Sequence, residues 1–503
     1  MSDAQLKSQI LEALLSVADR HDFVQSVTVT GSFVDSPTLD GISDIDCVVV
    51  VDQLNAGRYD FLLAVFDDAL RGVLATHGYE FRINSTLGPL KYNAPRLAVL
   101  HLMLYSYEAR VRHAQQSPFT CLDWQRSAVW RNTSLAKVYP VFGLQPRHFL
   151  GARRGLRDYL DDLRNGVVSY RELACTDDGY SERKLSKPMT VRDRHEFAYH
   201  VMRFLMSNFL KLITRTNSTQ DNETLLTRYF DRFPDGAATF VPFFRALAAK
   251  KKLSDFREPV RDLEPTLEGF AAAMETQFRR TFFENATRHT VFRHAPTKLN
   301  GGRGQALRFQ GQSNEPILPV AAGQLAQIVE IVAAQKPSYV FSSPALRATQ
   351  SLAQIARECA IPQPILDARL LEMNYGRLEG LSVGEARVQF PDVFQAWAEE
   401  RDPRLPGGES VADVAARSAS FARDVWAKAD GPSLTCTHNV VLRCLIGATL
   451  GVPERDWHRL QIPHLAPVTF VQTANDGLFV DIPETVQAEM FALWEPASLR
   501  KAA

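Results

Sequence analysis

Thr290-Val291-Phe292-Arg293-His294-Ala295-Pro296-Thr297, with Asn300 just beyond it, is the stretch on which the reading of this chain turns. Val291 and Phe292 read as the end of a buried strand, and an Arg and a His follow where that strand would open into a loop. In open α/β sheets, ligands are handled at such carboxyl ends of strands. The planar fork of Arg293 suits a phosphate, and a neutral imidazole at His294 can attack phosphorus. Alone, an Arg-His pair is most often a surface pair.

Four later features give it company. Ser342-Ser343-Pro344-Ala345-Leu346-Arg347 follows the apolar run Tyr339-Val340-Phe341, so Arg347 would open a helix behind a second strand. Leu371-Glu372 is followed by Gly376 and by Glu379-Gly380. Gly407-Gly408-Glu409-Ser410 precedes a helical pattern, and Thr437-His438, followed by Arg443, ends a further strand-like run. With these motifs in this order, the segment from about Thr290 to about Phe491 resembles the histidine phosphatase (phosphoglycerate mutase-like) superfamily. Ala295 and Asn439 stand where that family usually has Gly, and neither change removes a reacting group.

The resemblance implies a role for each residue. His294 would be the nucleophile that becomes phosphorylated. Arg293, Arg347 and His438 would bind the phosphoryl oxygens and spread the charge of the transition state. Asn300 would add a donor. Glu372 takes the position of the general acid, which must bring a proton to the leaving oxygen and later activate water. This chemistry needs no cofactor. Glu379 and Glu409 are expected to be structural. The family contains both mutases and phosphatases; the span Asn374 to Gly408 is not obviously elaborated, which favours a phosphatase.

The chain has 503 residues, too many for one core, so two or three domains are expected. Lys+Arg and Asp+Glu are equal at 57 each, and this balance gives no support to a nucleic-acid binder. Six scattered Cys without a CxxC pair, and the lack of a signal-peptide pattern, fit a reduced cytoplasmic protein. No apolar run approaches the length of a membrane span.

Near the beginning, Leu6, Ile10, Leu14 and Val17 mark one face of a helix, and Val27-Thr28-Val29-Thr30 alternates like a strand. Gly31-Ser32 follows. After a loop comes Ser43-Asp44-Ile45-Asp46, entering the apolar run Cys47 to Val51. Carboxylates two apart on a strand share a face and repel unless a cation sits between them. Mg²⁺ is the natural candidate, because it takes carboxylate and phosphate oxygens together. Gly31 would let the backbone approach a phosphate, with Ser32 donating a hydrogen bond. Gly-Ser followed by Asp-x-Asp resembles the DNA polymerase β-like nucleotidyltransferase superfamily, over about residues 5–110. That resemblance implies Asp44 and Asp46 as metal ligands that activate an NTP. The family's third carboxylate is missing from the expected strand Leu97 to Tyr105; His101 is the polar side chain placed to replace it, as metal ligand or base, or else is a hydrogen-bonded strand histidine.

The expected architecture is therefore multidomain: an N-terminal polymerase β-like nucleotidyltransferase α/β domain (1–140), a helical middle bundle (141–285) and a C-terminal α/β histidine phosphatase domain (286–503). Helices are expected at His195 to Thr214, Leu225 to Phe233, Ala237 to Ala249 and Leu263 to Phe282. The charged cluster Arg192-Asp193-Arg194-His195-Glu196 fits a solvated first turn. The expected function is bifunctional: Mg²⁺-dependent nucleotidyl transfer from an NTP to a small-molecule acceptor, joined to hydrolysis of a phosphomonoester substrate. Two alternatives are a protein-modifying nucleotidyltransferase with an opposing phosphatase, and a phosphatase whose N-terminal domain binds nucleotide without transferring it.

Overall fold

Alternating apolar strands and amphipathic helices bury one face each, and the chain satisfies them with two large sheets, beside a two-stranded hairpin. The computed structural model describes residues 3–35, 44–86, 96–126, 128–176, 179–217, 220–253, 255–301, 306–321, 323–475 and 477–494, with backbone alone over 151–158 and 173–182. Ser43 and the loop before it lie outside the described residues. The chain divides into two compact units, Met1–Gln277 and Phe278–Ala503. Among the described residues, no helix is long and apolar enough to cross a membrane.

In the first unit, α1 (Asp3–Arg20) buries Leu6, Ile10, Leu14 and Val17, and α2 (Ala56–Ala75) buries Leu62, Phe66, Leu70 and Leu74. Both join one core with the sheet residues Val27, Val29, Cys47, Val49 and Leu102. The sheet holds β1 (Val24–Thr30), β2 (Ile45–Val51), β3 (Glu80–Asn84), β4 (Leu97–Ser106) and β5 (Ala128–Asn132) in the order β3-β4-β2-β1-β5. β1 runs antiparallel to β2, whereas β2 and β4 are parallel, and their register sets Asp46 opposite His101.

The region expected to be mostly helical also carries a hairpin, β6 (Val167–Thr176) and β7 (Gly179–Pro188). Its strands are rich in Arg, Glu, Lys and Ser, so no apolar alternation announced them. The expected boundary at 140 separates no compact unit. α3 (Val191–Thr214) sends Lys211 Nζ onto both carboxylate oxygens of Asp123, at 2.8 and 2.7 Å, and Asn217 Nδ2 donates to the Leu122 carbonyl at 3.1 Å. These contacts bind the later helices to the segment that precedes β5. The cluster at 192–196 lies at a helix start, where Thr190 and Asp193 form a capping box and Arg192 pairs with Glu196 at 2.8 Å. It is not wholly solvated: His195 and Glu196 are buried, and His195 Nε2 accepts from the Val260 amide at 2.9 Å.

The second unit is built on β8 (Ala286–Arg293), β9 (Tyr339–Ser342), β10 (Ile365–Leu366), β11 (Ser433–Thr437), β12 (Pro467–Thr473) and β13 (Gly477–Asp481), ordered β10-β9-β11-β8-β12-β13. The first four in that order are parallel, and β12 and β13 join antiparallel at one edge. The buried run of β11 is what a strand covered on both faces requires. α4 (Leu346–Glu358) packs Ala348, Leu352 and Ile355 against Val340, Phe292 and Leu434. α5 (Val411–Asp424) begins at a Ser410–Asp413 capping box, and α6 (Asn439–Leu450) follows β11 directly.

Two glycine motifs noted in the sequence meet here. A Cβ on Gly376, at φ +55°, would lie 2.3 Å from the Pro406 carbonyl oxygen, and one on Gly408 would lie 2.3 Å from that of Asn374. Each glycine lets the other's segment pass at backbone contact. Gly376→Ala should therefore lower the stability of this unit by about 1–3 kcal/mol, read as a lower thermal midpoint. An unchanged midpoint would show that the crossing can open without cost.

Candidate active site

The parallel register makes β8, β9 and β11 end level, since Thr437 pairs with Arg293 and Cys436 with Ser342. Arg293, His294, Ser343 and His438 consequently leave the sheet at one edge, and α4 supplies Arg347 from its first turn.

His294 is 2% exposed. Its backbone N–H donates to the Thr437 carbonyl at 3.0 Å, and its own carbonyl accepts from His464 Nδ1 at 2.7 Å. The ring Nδ1 lies 2.6 Å from the Ala295 carbonyl oxygen. A carbonyl only accepts, so Nδ1 carries the proton and the lone pair falls on Nε2. Nε2 accepts from Arg347 Nε at 3.1 Å. Burial first, then the Arg347 and Arg293 charges, hold the His294 pKa well below the usual histidine value, which keeps the ring neutral.

The surrounding groups are buried donors. Arg347 is 1% exposed and also sends Nη1 to the Ser313 carbonyl at 2.9 Å and Nη2 to the Gly311 carbonyl at 2.6 Å. Arg293 gives Nη1 to the Ile462 carbonyl at 2.9 Å, and burial pulls its pKa to about 10, so it stays charged at neutral pH. The His438 ring lies 5.0 Å from that of His294, with Nε2 2.7 Å from Ser343 Oγ. Burial, then the charges of its neighbours, push His438 well below the usual value too. Arg293 Nε, His438 Nδ1, Gln310 Nε2 and Ser313 Oγ are buried without a hydrogen-bond partner among the described residues. Leaving such an atom unpaired costs roughly 1–3 kcal/mol. A bound phosphoryl group would satisfy several of them together.

Two residues sit differently from expectation. Glu372, 4% exposed, accepts from the backbone N–H of Met373 at 2.9 Å, Asn439 at 3.1 Å and Val440 at 3.1 Å. It thus caps the N-terminus of α6 with a carboxylate, a favourable place for negative charge. Asn300 turns its Oδ1 inward to accept from Thr297 N at 2.8 Å and Thr297 Oγ1 at 3.1 Å, holding the turn after the Arg-His pair. Glu379 accepts from the N–H groups of Gly311 and Ser313, and Glu409 pairs with Arg417 at 2.9 Å. His464, Gln310 and Ser313 belong to this centre and were not singled out from the sequence. Their one signal was weak: polar residues in loops beside strand ends. Burial and Arg293 bring His464 to about 4.

The first unit holds a second, smaller cluster. Gly31 has φ +78°, and a Cβ there would lie 2.6 Å from Asp46 Oδ2. Ser32 opens a helical turn, Ser32–Asp35, whose Val34 and Asp35 amides donate to the Gly31 carbonyl. Asp44 stands just before β2 and Asp46 inside it. His101 Nδ1 is 3.0 Å from Asp46 Oδ1, and Nε2 is 2.8 Å from the Thr86 carbonyl oxygen. Burial alone would lower the His101 pKa, but the Asp46 hydrogen bond and charge outweigh it and raise it. Among the described residues, no group of three or more His, Cys, Asp or Glu side chains is placed to hold a metal ion.

Residues 290–482 match the histidine phosphatase superfamily (branch 1). Over 205 residues the chain is 29% identical to a probable phosphoglycerate mutase, GpmB, of Proteus mirabilis, covering 37% of this chain and 91% of that protein. Over 210 residues it is 28% identical to a glucosyl-3-phosphoglycerate phosphatase of Mycolicibacterium vanbaalenii, covering 39% and 90%. A solved mycobacterial glucosyl-3-phosphoglycerate phosphatase is 24% identical with a TM-score of 0.34, covering 39% of this chain and 98% of that one.

The buried neutral histidines set a pH dependence. His289, fully buried and stacked on Trp426, is brought to about 4 by burial. Between that value and about 6.5 the unfolded chain takes up a proton that the folded chain refuses, so stability falls as pH drops through this window. For His289 alone the loss at pH 5 is about 2 kcal/mol, and His294, His438 and His464 act in the same direction. The thermal midpoint of this unit should fall clearly between pH 7.5 and 5. A flat profile would mean that these rings accept protons in place.

Proposed function

Residues 290–482 form a histidine phosphatase superfamily domain, and on that premise we propose that the C-terminal unit hydrolyses a phosphomonoester through a phosphohistidine at His294. The observation that carries the proposal is the contact of His294 Nδ1 with the Ala295 carbonyl, which leaves the lone pair on Nε2. In the proposed reaction, Nε2 attacks phosphorus and the ester oxygen leaves with the P–O electron pair. Arg347 Nε transfers its hydrogen bond from the ring to a phosphoryl oxygen, and Arg293 Nε and His438 Nδ1 supply further contacts. Water then attacks phosphorus, and the P–N pair returns to His294. Hydrolysis is favoured over mutase chemistry because the span from Asn374 to Gly408 carries short elements alone, a 3-10 turn at Gly376–Leu378 and two short α-helices, Val383–Gln389 and Pro391–Ala398. The substrate class is a small phosphorylated metabolite, and the relatives' names support that breadth.

Glu372 is the proposed acid and base, though it also caps α6. For the N-terminal unit, nucleotide binding without transfer is favoured over metal-dependent transfer to an acceptor. The support is His101, whose two nitrogens are both engaged where a third carboxylate would stand.

His294→Ala should lower turnover of p-nitrophenyl phosphate by at least about 10³-fold and abolish the acid-labile phosphoenzyme trapped by rapid quench. Retention of the label in a folded His294→Ala protein would move the nucleophile elsewhere.

Glu372→Gln separates acid from cap. An acid worth roughly 10²–10⁴-fold should cost that factor on alkyl phosphates and far less on p-nitrophenyl phosphate, whose leaving group departs unaided. Equal losses in single turnover on both, with a lower thermal midpoint, would make Glu372 a helix cap only.

A further inference from the structure

Positive charge at the C-terminal centre extends beyond the groups that would hold one phosphoryl. Arg293 gives Nη1 to the Ile462 carbonyl at 2.9 Å, and Arg443 gives Nε to the Leu460 carbonyl at 2.7 Å. Residues two apart in a chain lie within about 7 Å of each other, so one short segment holds both guanidinium groups. The Arg443 charge is felt at Arg293. Among the described residues Arg443 makes no ion pair, and its Nη1 and Nη2 have no hydrogen-bond partner. The carboxylate whose charge reaches it is that of Glu372, which is held by the backbone amides of α6 instead. A cation set beside another and partly withdrawn from water is unfavourable until an anion joins it.

Two more polar groups stand with Arg443. Asn439 lies four positions before it on α6, and such pairs share a helix face. Val440 to Leu442 and Cys444 to Gly447 are buried, so Asn439 and Arg443 mark the open side of the helix start. The side-chain amide of Asn439 has no partner among the described residues. Its position is one where Gly was expected, so this chain adds a hydrogen-bonding group there. The third group is Tyr375, whose ring lies 5.1 Å from that of Phe309 and whose hydroxyl has no partner among the described residues. Arg293 and Arg443 both act on it, and burial raises its pKa, so it keeps its proton and can donate.

We propose that Arg443, with Asn439 and Tyr375, forms a second anion subsite beside the phosphoryl pocket, so that the substrate carries a further carboxylate or phosphate on its leaving group. The proposal rests on the reading of this unit as a phosphatase and narrows its substrates to phosphomonoesters with two anionic ends. Arg293, Arg347 and His438 take the end that reacts, and Arg443 takes the end that does not.

The test is calorimetric binding to the full chain carrying His294→Ala, which prevents turnover. The ligands are ethyl phosphate, phosphoglycolate and ethylene glycol bisphosphate. At least one of the two doubly anionic ligands should bind at least about tenfold more tightly than ethyl phosphate, and the one that does tells carboxylate from phosphate. Adding Arg443→Gln should remove most of that preference, Arg443→Lys should keep part of it, and Asn439→Gly should reduce it. If Arg443→Gln fails to fold, Asn439→Gly carries the test. Equal binding of all three ligands, or none, would overturn the proposal, as would a preference that these substitutions leave intact. Hydrolysis of p-nitrophenyl phosphate by the wild type reports separately on the phosphatase reading. Its absence beside an Arg443-dependent preference would sink that reading and leave the subsite standing.

Discussion

One hydrogen bond governs the C-terminal centre: the ring of His294 on the carbonyl of its own neighbour, Ala295. It fixes the tautomer, and the tautomer fixes which nitrogen can meet phosphorus. The contact is local, but what keeps it in place is not. The His294 amide is held by Thr437, its carbonyl by His464, and the Ala295 amide by Ser351 Oγ at 2.8 Å. Three distant segments thus hold two successive peptide groups. The sheet register brings those segments level, so the chemistry depends on strand order before it depends on any single side chain.

The two clusters handle charge in opposite ways. In the C-terminal unit, arginines crowd neutral histidines, and the excess of donors waits for an anion. In the N-terminal unit, a histidine meets a carboxylate at hydrogen-bond distance within the protein. A histidine near other titratable groups therefore has no fixed meaning. Its neighbours' signs and the directions of its two nitrogens give it one.

Much of the C-terminal centre was legible because its chemistry sits at strand ends, where apolar runs stop abruptly at Arg293-His294, Ser343 and Thr437-His438. Arg347 was legible because it opens an amphipathic helix. His464, Gln310 and Ser313 were not, since they come from loops with no periodic signal and reach the site only through the fold. Glu372 was legible as a residue of interest but not as the cap of α6, because the helix it caps lies more than sixty positions away. The hairpin β6–β7 escaped for a different reason: the many charged residues and serines in its sequence leave no apolar alternation. His101 was visible as the odd residue in an apolar strand, yet only the position of the Thr86 carbonyl decides what its second nitrogen does.

Arg347 carries a consequence for turnover. Its Nε, Nη1 and Nη2 each already donate, to His294, Ser313 and Gly311. On the proposed reaction, a phosphoryl oxygen draws the Nε donor away from the His294 ring, and the ring Nε2 reclaims it when inorganic phosphate departs. The protein thus competes with its own product for the same guanidinium. A site with a fully exposed arginine would hold phosphate more tightly and release it more slowly. Here part of the binding energy goes into displacing an internal ligand, and clearance of the site for the next substrate is built into the resting state.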